Sequence, residues 1–257
     1  MKLITIITDF GYNSPYIGSV KAKIHSITQG KVQIIDIFHE VEEHNILSAM
    51  YWIYYLYRDY PEGTSFLCVV DPTVGTERKG ILVEFENRFF VGPDNGIFTL
   101  VIKKGGKVYE LPPPPEKASP TFHARDYFSI WVSKITLSPF IIRNLKEYKE
   151  PVLLKIEEPV KGEKIIKGHM VLKDRFGNIL TDIENEWIQN GKNYILKTKK
   201  FLIEGPKRTY AEVKKGELIF LKGSFGFIEI ASNMKSAFDI IKPHFPEKIE
   251  IREKENF

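Results

Sequence analysis

The sequence predicts an α/β N-terminal domain with a mainly parallel sheet, followed by a small all-β barrel as C-terminal domain. Three observations carry that reading. Over residues 1–150, unbroken apolar runs alternate with stretches of helical spacing, the arrangement that builds βαβ units. The run LPPPPEKASP then interrupts the chain. Its prolines fix φ and remove backbone donors, so it reads as an extended connector. From about residue 150 the texture changes to short alternating segments separated by Gly, Asn and Pro, the mark of an all-β unit. The predicted domains are 1–150 and 151–257.

LITII opens the chain as a buried strand, continuous and rich in β-branched residues. It runs into Thr8, Asp9, Phe10 and Gly11. Ligands of open α/β sheets sit at the carboxyl ends of strands, which makes Asp9 a candidate. The alternative is that Asp9 caps the next helix or closes an Asx-turn. A kinase-type Asp-Phe-Gly needs a Gly-rich loop, a strand lysine and a His-Arg-Asp loop before it. The eight residues ahead of Asp9 hold none of these. VKAKIHSIT has helical spacing, VQIIDIF is a second strand, and HNILSAMYWIYYLYRDY is an amphipathic to buried helix that PEGT stops. SFLCVVD is the third strand. The first three strands therefore end in Asp9, Asp36 and Asp71. GILVEFENRFFVGPDNG reads as two strands with Glu-Asn-Arg at the turn, and TFHARDYFSIWVSKIT as a helix with Thr121 in its cap region. In the second domain VLLKIEE, EKIIKGHMVLKDRFGNILTDI, YILKTKKFLIE, ELIFLKGSFGFIEIAS and EKIEIRE supply the strands.

Composition narrows the function class. Hydrophobic residues make up 43% of the 257, enough for a substantial core. No run approaches the ~18 apolar residues of a membrane span. The sequence reads straight into a strand, with no cleavage-site pattern, and its single cysteine, Cys68, lies in an apolar run. A cytoplasmic location is expected. The net charge of +4 is mild and mixed in sign along the chain, which argues against a nucleic-acid partner. The histidines show no zinc spacing with one another or with cysteine, and GxGxxG, P-loop and GxSxG patterns are absent.

What remains is a set of polar residues at strand ends and turns. In VVDPTVGTER, Pro72 restricts the turn and Gly75 lets the loop fold back, bringing Arg78 towards Asp71 as a bidentate pair. An ordinary structural ion pair is the competing reading. GPDNG places Asp94, Asn95 and Gly96 at a tight turn. His123, Arg125 and Asp126 stand at a loop–helix junction, where a titrating side chain is well placed. Asp174, Phe176 and Asn178 would share one face of an extended strand, offering a carboxylate, an aromatic plane and an amide. A hairpin turn at Gly177-Asn178 is the reading that spacing favours. Ser224 precedes a strand and Asn233 follows it.

Taken in order, TDFG, VVDPTVGTER, GPDNG, TFHARDYF, KDRFGNILTDI and GSFGFIEIASN resemble one family across nearly the whole chain. The sequence is similar to the S-adenosylmethionine (SAM) hydroxide adenosyltransferases, adenosine-forming SAM hydrolases related to the SAM-dependent fluorinase and chlorinase. The resemblance implies homotrimers with active sites between the N-terminal domain of one subunit and the C-terminal domain of its neighbour. It implies SAM as substrate, with no cofactor and no metal. Water or hydroxide attacks the ribose C5′, methionine leaves and adenosine forms. The family's catalytic set maps onto Asp71, Arg78 and His123, and its ribose-binding aspartate onto Asp9. Asp174 would hold the methionine ammonium, Asn178 the adenine edge and Ser224 the methionine carboxylate. Asn233 and Met234 would lie near adenine, and Asn95 and Phe176 complete the substrate-binding set. Two positions depart from the family pattern: Ser14 replaces an acidic residue before Pro-Tyr, and Thr73 replaces Gly after Asp-Pro. Halogenating relatives lack the Asp-Arg-His set, so its presence favours hydrolysis. A halogenase on the same fold, and a SAM- or adenosine-binding protein with negligible turnover, are the alternatives.

Overall fold

A computed structural model describes residues 2–254. The chain divides into two compact units, Met1–Lys155 and Ile156–Phe257.

The first unit is built on β1 (Leu3–Thr8), α1 (Pro15–Thr28), β2 (Gln33–Phe38), α2 (Ile46–Leu56), β3 (Ser65–Val69), β4 (Gly80–Phe85), β5 (Arg88–Pro93), α3 (Thr99–Lys103), β6 (Lys107–Glu110), α4 (Ser129–Leu137) and β7 (Lys146–Glu147). Ser14 caps α1 by accepting the Tyr16 N–H, and Pro15 occupies the first turn, where its missing N–H costs nothing. The helix therefore starts ahead of the periodic stretch VKAKIHSIT. Asn45 caps α2 through the Ser48 N–H at 2.9 Å.

The seven strands form one sheet in the order β2-β1-β3-β5-β4-β6-β7. β1 pairs in parallel with β2 and β3, and β3 with β5. The pairings of β4 with β5 and β6, and of β6 with β7, are antiparallel. The sheet is thus mixed, and the expected parallel character belongs to its β2–β5 side. The cause is local. Glu86 and Asn87 both adopt left-handed φ, 45° and 55°, which closes a two-residue hairpin. A hairpin returns its strand antiparallel. Helices α1 and α4 pack on one face of the sheet through Val20, Ile24, Val132 and Ile135 against Ile4, Ile6, Leu67 and Leu82. VLLKIEE, expected as a strand, joins no ladder. Its Val152 and Leu154 N–H groups donate instead to Asp94 Oδ1 (2.8 Å) and Thr99 Oγ1 (2.9 Å).

The second unit contains β8 (Val160–Lys161), β9 (Ile165–Lys173), β10 (Ile179–Glu184), β11 (Tyr194–Lys197), β12 (Leu202–Gly205), β13 (Leu218–Lys222), β14 (Phe227–Ser232), α5 (Ala237–Ile241) and β15 (Glu247–Glu253). An antiparallel sheet runs β12-β11-β15-β9-β10-β14-β13, with β8 on β9. Its two ends nearly meet: the Lys207 N–H donates to the Phe220 carbonyl at 2.9 Å, beside a Lys207–Leu221 bridge. The result is a nearly closed barrel whose interior holds Met170, Ile179, Leu196, Phe220, Ile230 and Ile251. The all-β expectation needs one correction, the five-residue α5, which Ser236 caps through the Asp239 N–H.

A buried polar pair joins the neighbouring strands β9 and β10. Asp182 accepts the His169 backbone N–H (2.6 Å) and faces His169 Nδ1 at 2.8 Å. Gly168 leaves the room, since a Cβ there would lie 2.5 Å from Asp182 Oδ1. The hydrogen bond to Asp182 raises the His169 pKa above 6.5, against the opposing effect of burial. A raised folded-state pKa stabilises the fold fully below the unfolded value, and that stabilisation is lost as pH rises through the folded value. The melting-temperature gap between the native chain and Asp182→Asn is therefore expected to be widest near about pH 6 and to narrow towards about pH 9. A gap constant across that range in thermal unfolding would refute this account.

Candidate active site

Register assembles the site. β1 and β3 pair from Ile4–Ser65 to Thr8–Val69, so Asp9 and Asp71 emerge at the same carboxyl edge of the sheet. After Asp71 the chain folds into two tight turns, with Val74 N–H on the Asp71 carbonyl (3.3 Å) and Thr76 N–H on the Thr73 carbonyl (3.2 Å). Gly75 sits at φ 82°, and a Cβ there would come within 2.6 Å of the Pro120 carbonyl. Only glycine meets both conditions.

These turns carry Arg78 back onto Asp71. Arg78 Nε lies 3.0 Å from each Asp71 carboxylate oxygen, and Nη2 donates to Oδ2. Both side chains are more than nine-tenths buried. Nη2 also lies 2.9 Å from His123 Nδ1, and the guanidinium carbon stands 4.9 Å over the Phe128 ring. His123 precedes a π-helical turn, Ala124–Phe128, that leads into α4. Such wide turns recur at functional sites. Thr121 makes no cap bond to this helix; its hydroxyl lies 3.2 Å from that of Ser119. The three residues predicted from separate motifs are one contiguous set.

The contacts fix the state of His123. Arginine has no acceptor, so Nδ1 accepts and the ring hydrogen of the neutral imidazole lies on Nε2. Burial, reinforced by the Arg78 charge, lowers the His123 pKa below 6.5. Thr73, the departure noted in the sequence, donates its hydroxyl to Asp71 Oδ1 at 3.1 Å.

Asp9 does not cap α1. Its Oδ2 accepts the His44 N–H at 3.0 Å, presented by a His44 backbone at φ 63°. Asp9, Asp71 and His123 line one cleft of about 440 Å³, together with Phe10, Tyr16 and His44. That volume suits a small-molecule site. Arg78 is not part of the cleft wall; it stands behind it and ties Asp71 to His123. Asn95 uses both ends of its amide inside the fold. Nδ2 donates to the Val70 carbonyl (2.9 Å) and Oδ1 accepts the Ile97 N–H (3.2 Å), so it braces the backbone next to Asp71.

The other predicted residues lie in the second unit. Asp174, Phe176 and Asn178 form the turn between β9 and β10, closed by the Asp174 N–H on the Asn178 carbonyl at 2.9 Å. The hairpin reading holds over the extended one. Asp174 Oδ1 accepts the Phe176 and Asn178 N–H groups, and Oδ2 accepts Asn178 Nδ2. Gly177 lets this turn abut the loop of Asn233 and Met234, since a Cβ there would lie 2.1 Å from Ser236 Oγ. Phe176 and Met234 are both 79% exposed. Asn233 Nδ2 donates to the Val213 carbonyl at 2.6 Å. Ser224 lies exposed in the turn between β13 and β14. Among the described residues no three His, Cys, Asp or Glu side chains gather as a metal site.

Sequence reasoning missed Phe10, Tyr16, Phe122 and His44 of the cleft wall. Phe10 belongs to the quoted TDFG, so its neighbourhood to Asp9 was the available signal. The left-handed backbone of His44 has no counterpart in residue type.

Known proteins resemble this chain over nearly its full length. The family model for the SAM hydroxide adenosyltransferase N-terminal domain matches residues 4–138, and that for the C-terminal domain matches residues 168–250. The chain is 32% identical to an (R)-S-adenosyl-L-methionine hydrolase of Methanocaldococcus jannaschii, over 98% of this chain and 96% of that one. It is 23% identical to a fluorinase of Actinopolyspora mzabensis, over 91% of each. A crystal structure of an uncharacterized conserved protein from Thermotoga maritima superimposes with a TM-score of 0.88 at 31% identity, covering 97% of this chain and 99% of that one. This chain belongs to the SAM hydroxide adenosyltransferase family.

Proposed function

We propose that this chain hydrolyses SAM to adenosine and L-methionine by attack of water at the ribose C5′. The observation that carries the reading is the Asp71–Arg78–His123 set, continuous by hydrogen bonds and bordering the cleft that Asp9 also lines. The hydrolase name of the Methanocaldococcus jannaschii relative supports it.

A sulfonium is a positively charged leaving centre, so the reaction needs no cofactor to activate carbon. The C5′–O bond forms as the C5′–S bond breaks, and the S–C pair returns to sulfur as the neutral thioether of methionine. Placing one water in line with that bond is the main task. Free hydroxide is scarce at neutral pH because water's pKa is about 15.7. His123 Nε2–H donates to the attacking oxygen, and Asp71 accepts the proton that this oxygen loses. Arg78 holds both in place. Asp9 accepts hydrogen bonds from the ribose hydroxyls. Asp174 receives the methionine ammonium, Ser224 its carboxylate, and Phe176, Asn178, Asn233 and Met234 the adenine. Asn95 acts through the Val70–Asp71 backbone. Because the substrate contacts fall in both units, we also infer a homotrimer in which one subunit's second unit completes its neighbour's cleft. The expected setting is the cytoplasm.

The test is incubation with SAM in oxygen-18 water, with and without chloride or fluoride, followed by mass spectrometry. Adenosine labelled at its 5′ oxygen, with equimolar methionine, is expected under all conditions. A 5′-halo-5′-deoxyadenosine product would make the chain a halogenase, and SAM bound but unchanged would make it a binding protein.

A further inference from the structure

Behind the cleft lies a second polar array that the reaction does not touch. Thr8 Oγ1 accepts the Phe10 N–H at 3.2 Å and lies 2.9 Å from His39 Nδ1. His39 Nε2 lies 3.1 Å from Asp36 Oδ1, and Lys21 pairs with Asp36 Oδ2. Thr8 is 1% exposed and His39 0%. Two further bonds fix the same turn through the backbone. The Gly11 N–H donates to the His39 carbonyl at 2.7 Å, and the Val41 N–H to the Thr8 carbonyl at 3.4 Å. The Tyr12 and His39 rings lie nearly perpendicular, with their centroids 5.2 Å apart.

The proton positions follow from the partners. If Nδ1 carried the hydrogen, the Nε2 lone pair would face a carboxylate oxygen in a buried site, which is repulsive. The hydrogen therefore lies on Nε2, towards Asp36, and Nδ1 accepts the Thr8 hydroxyl. That leaves the Thr8 oxygen lone pairs for the Phe10 N–H. The array runs from the Lys21–Asp36 ion pair, across a 3.1 Å ion-pair contact to His39 that lacks hydrogen-bond geometry, and then by hydrogen bonds through Thr8 to the backbone on either side of Asp9. Burial holds His39 neutral by lowering its pKa below 6.5, in spite of Asp36.

We propose that His39 is a positioning residue for the substrate's ribose: it locks the Thr8 hydroxyl and, through it, the Thr8–Gly11 turn that aims Asp9. The inference rests on the reading of Asp9 as the ribose ligand. A structural role in β1 alone would leave selectivity for the ribose diol unchanged; an aiming role would not.

The experiment compares kcat/KM for SAM and for its 2′-deoxy analogue. The native enzyme is expected to prefer SAM by about 10- to 100-fold, the worth of a hydrogen bond to a charged group. Thr8→Val keeps the side-chain shape and removes the hydroxyl, and His39→Leu removes the acceptor. Both are expected to reduce the preference at least about threefold, mainly by raising KM for SAM. Thr8→Ser keeps the hydroxyl, and His39→Asn places an amide oxygen at the Nδ1 position; both should restore the preference. If His39→Leu fails to fold, Thr8→Val against Thr8→Ser decides alone. A native-like preference in Thr8→Val, whatever its melting temperature, overturns the proposal. A native enzyme with no preference removes the ribose reading of Asp9, and the proposal with it, before any variant is needed.

Discussion

Replacing Arg78 with methionine is expected to lower kcat by about 10³-fold while KM for SAM changes little. The rate loss is the size seen when a fixed electrostatic partner of a transition state is removed. KM is spared because Arg78 stands behind the cleft wall formed by Asp71 and His123. The substitution also leaves the Asp71 carboxylate, 5% exposed, without its counter-charge. Breaking a buried pair from one side costs about 3–5 kcal/mol, so the variant should melt well below the native chain. Arg78→Lys should fail nearly as badly. One ammonium cannot hold both Asp71 oxygens and His123 Nδ1, a task that uses Nε and Nη2 of a planar fork. Adding Asp71→Asn to Arg78→Met separates the two losses. Without the orphaned charge much of the stability should return, yet kcat should stay low. The account is wrong if Arg78→Lys keeps more than about a third of native kcat, a rise of less than about 0.7 kcal/mol in barrier height.

The parts of this site that were legible in the sequence are those where residue type and chain geometry coincide. Asp71 and Arg78 are seven residues apart around Pro72 and Gly75, and a loop of that composition has few ways to fold other than back on itself. The strand ends bearing Asp9 and Asp71 were readable because β-branched runs stop at polar residues. Pairing was less readable. The hairpin at Glu86–Asn87 was visible, but its consequence, an antiparallel flank to a parallel sheet, depends on where β6 and β7 add. VLLKIEE alternates like a strand and yet forms none, since Asp94 and Thr99 satisfy its backbone instead. Contacts of long sequence separation stayed hidden altogether. Thr8 and His39 are 31 residues apart and Arg78 and His123 are 45 apart; nothing local to either partner marks the other. The family resemblance supplied the second of these pairings and was silent on the first.

Exchanging His123 for glutamine and for asparagine should give opposite results. With Nδ1 accepting from Arg78, the neutral ring can only donate at Nε2. The amide nitrogen of glutamine reaches the Nε2 position, whereas that of asparagine reaches only the Nδ1 position. His123→Gln is therefore expected to retain kcat within about tenfold of native, and His123→Asn to fall about 10²-fold, near His123→Ala. A histidine acting as the base would predict otherwise, because neither amide accepts a proton and both variants would be equally impaired. The pH profile adds an independent sign. Burial and the Arg78 charge lower the His123 pKa below 6.5, so the imidazole is neutral throughout the range above that value. The native kcat should be level from about pH 7 to about pH 9 and decline only as pH falls through the lowered pKa. Protonation there would put a hydrogen on Nδ1 and break the bond from Arg78, so the decline reports loss of geometry as well as of charge. In His123→Gln the decline should vanish, since no titrating group remains at that position. A His123→Gln variant that is inactive at every pH would instead make the ring itself the proton acceptor and return Asp71 to a supporting role.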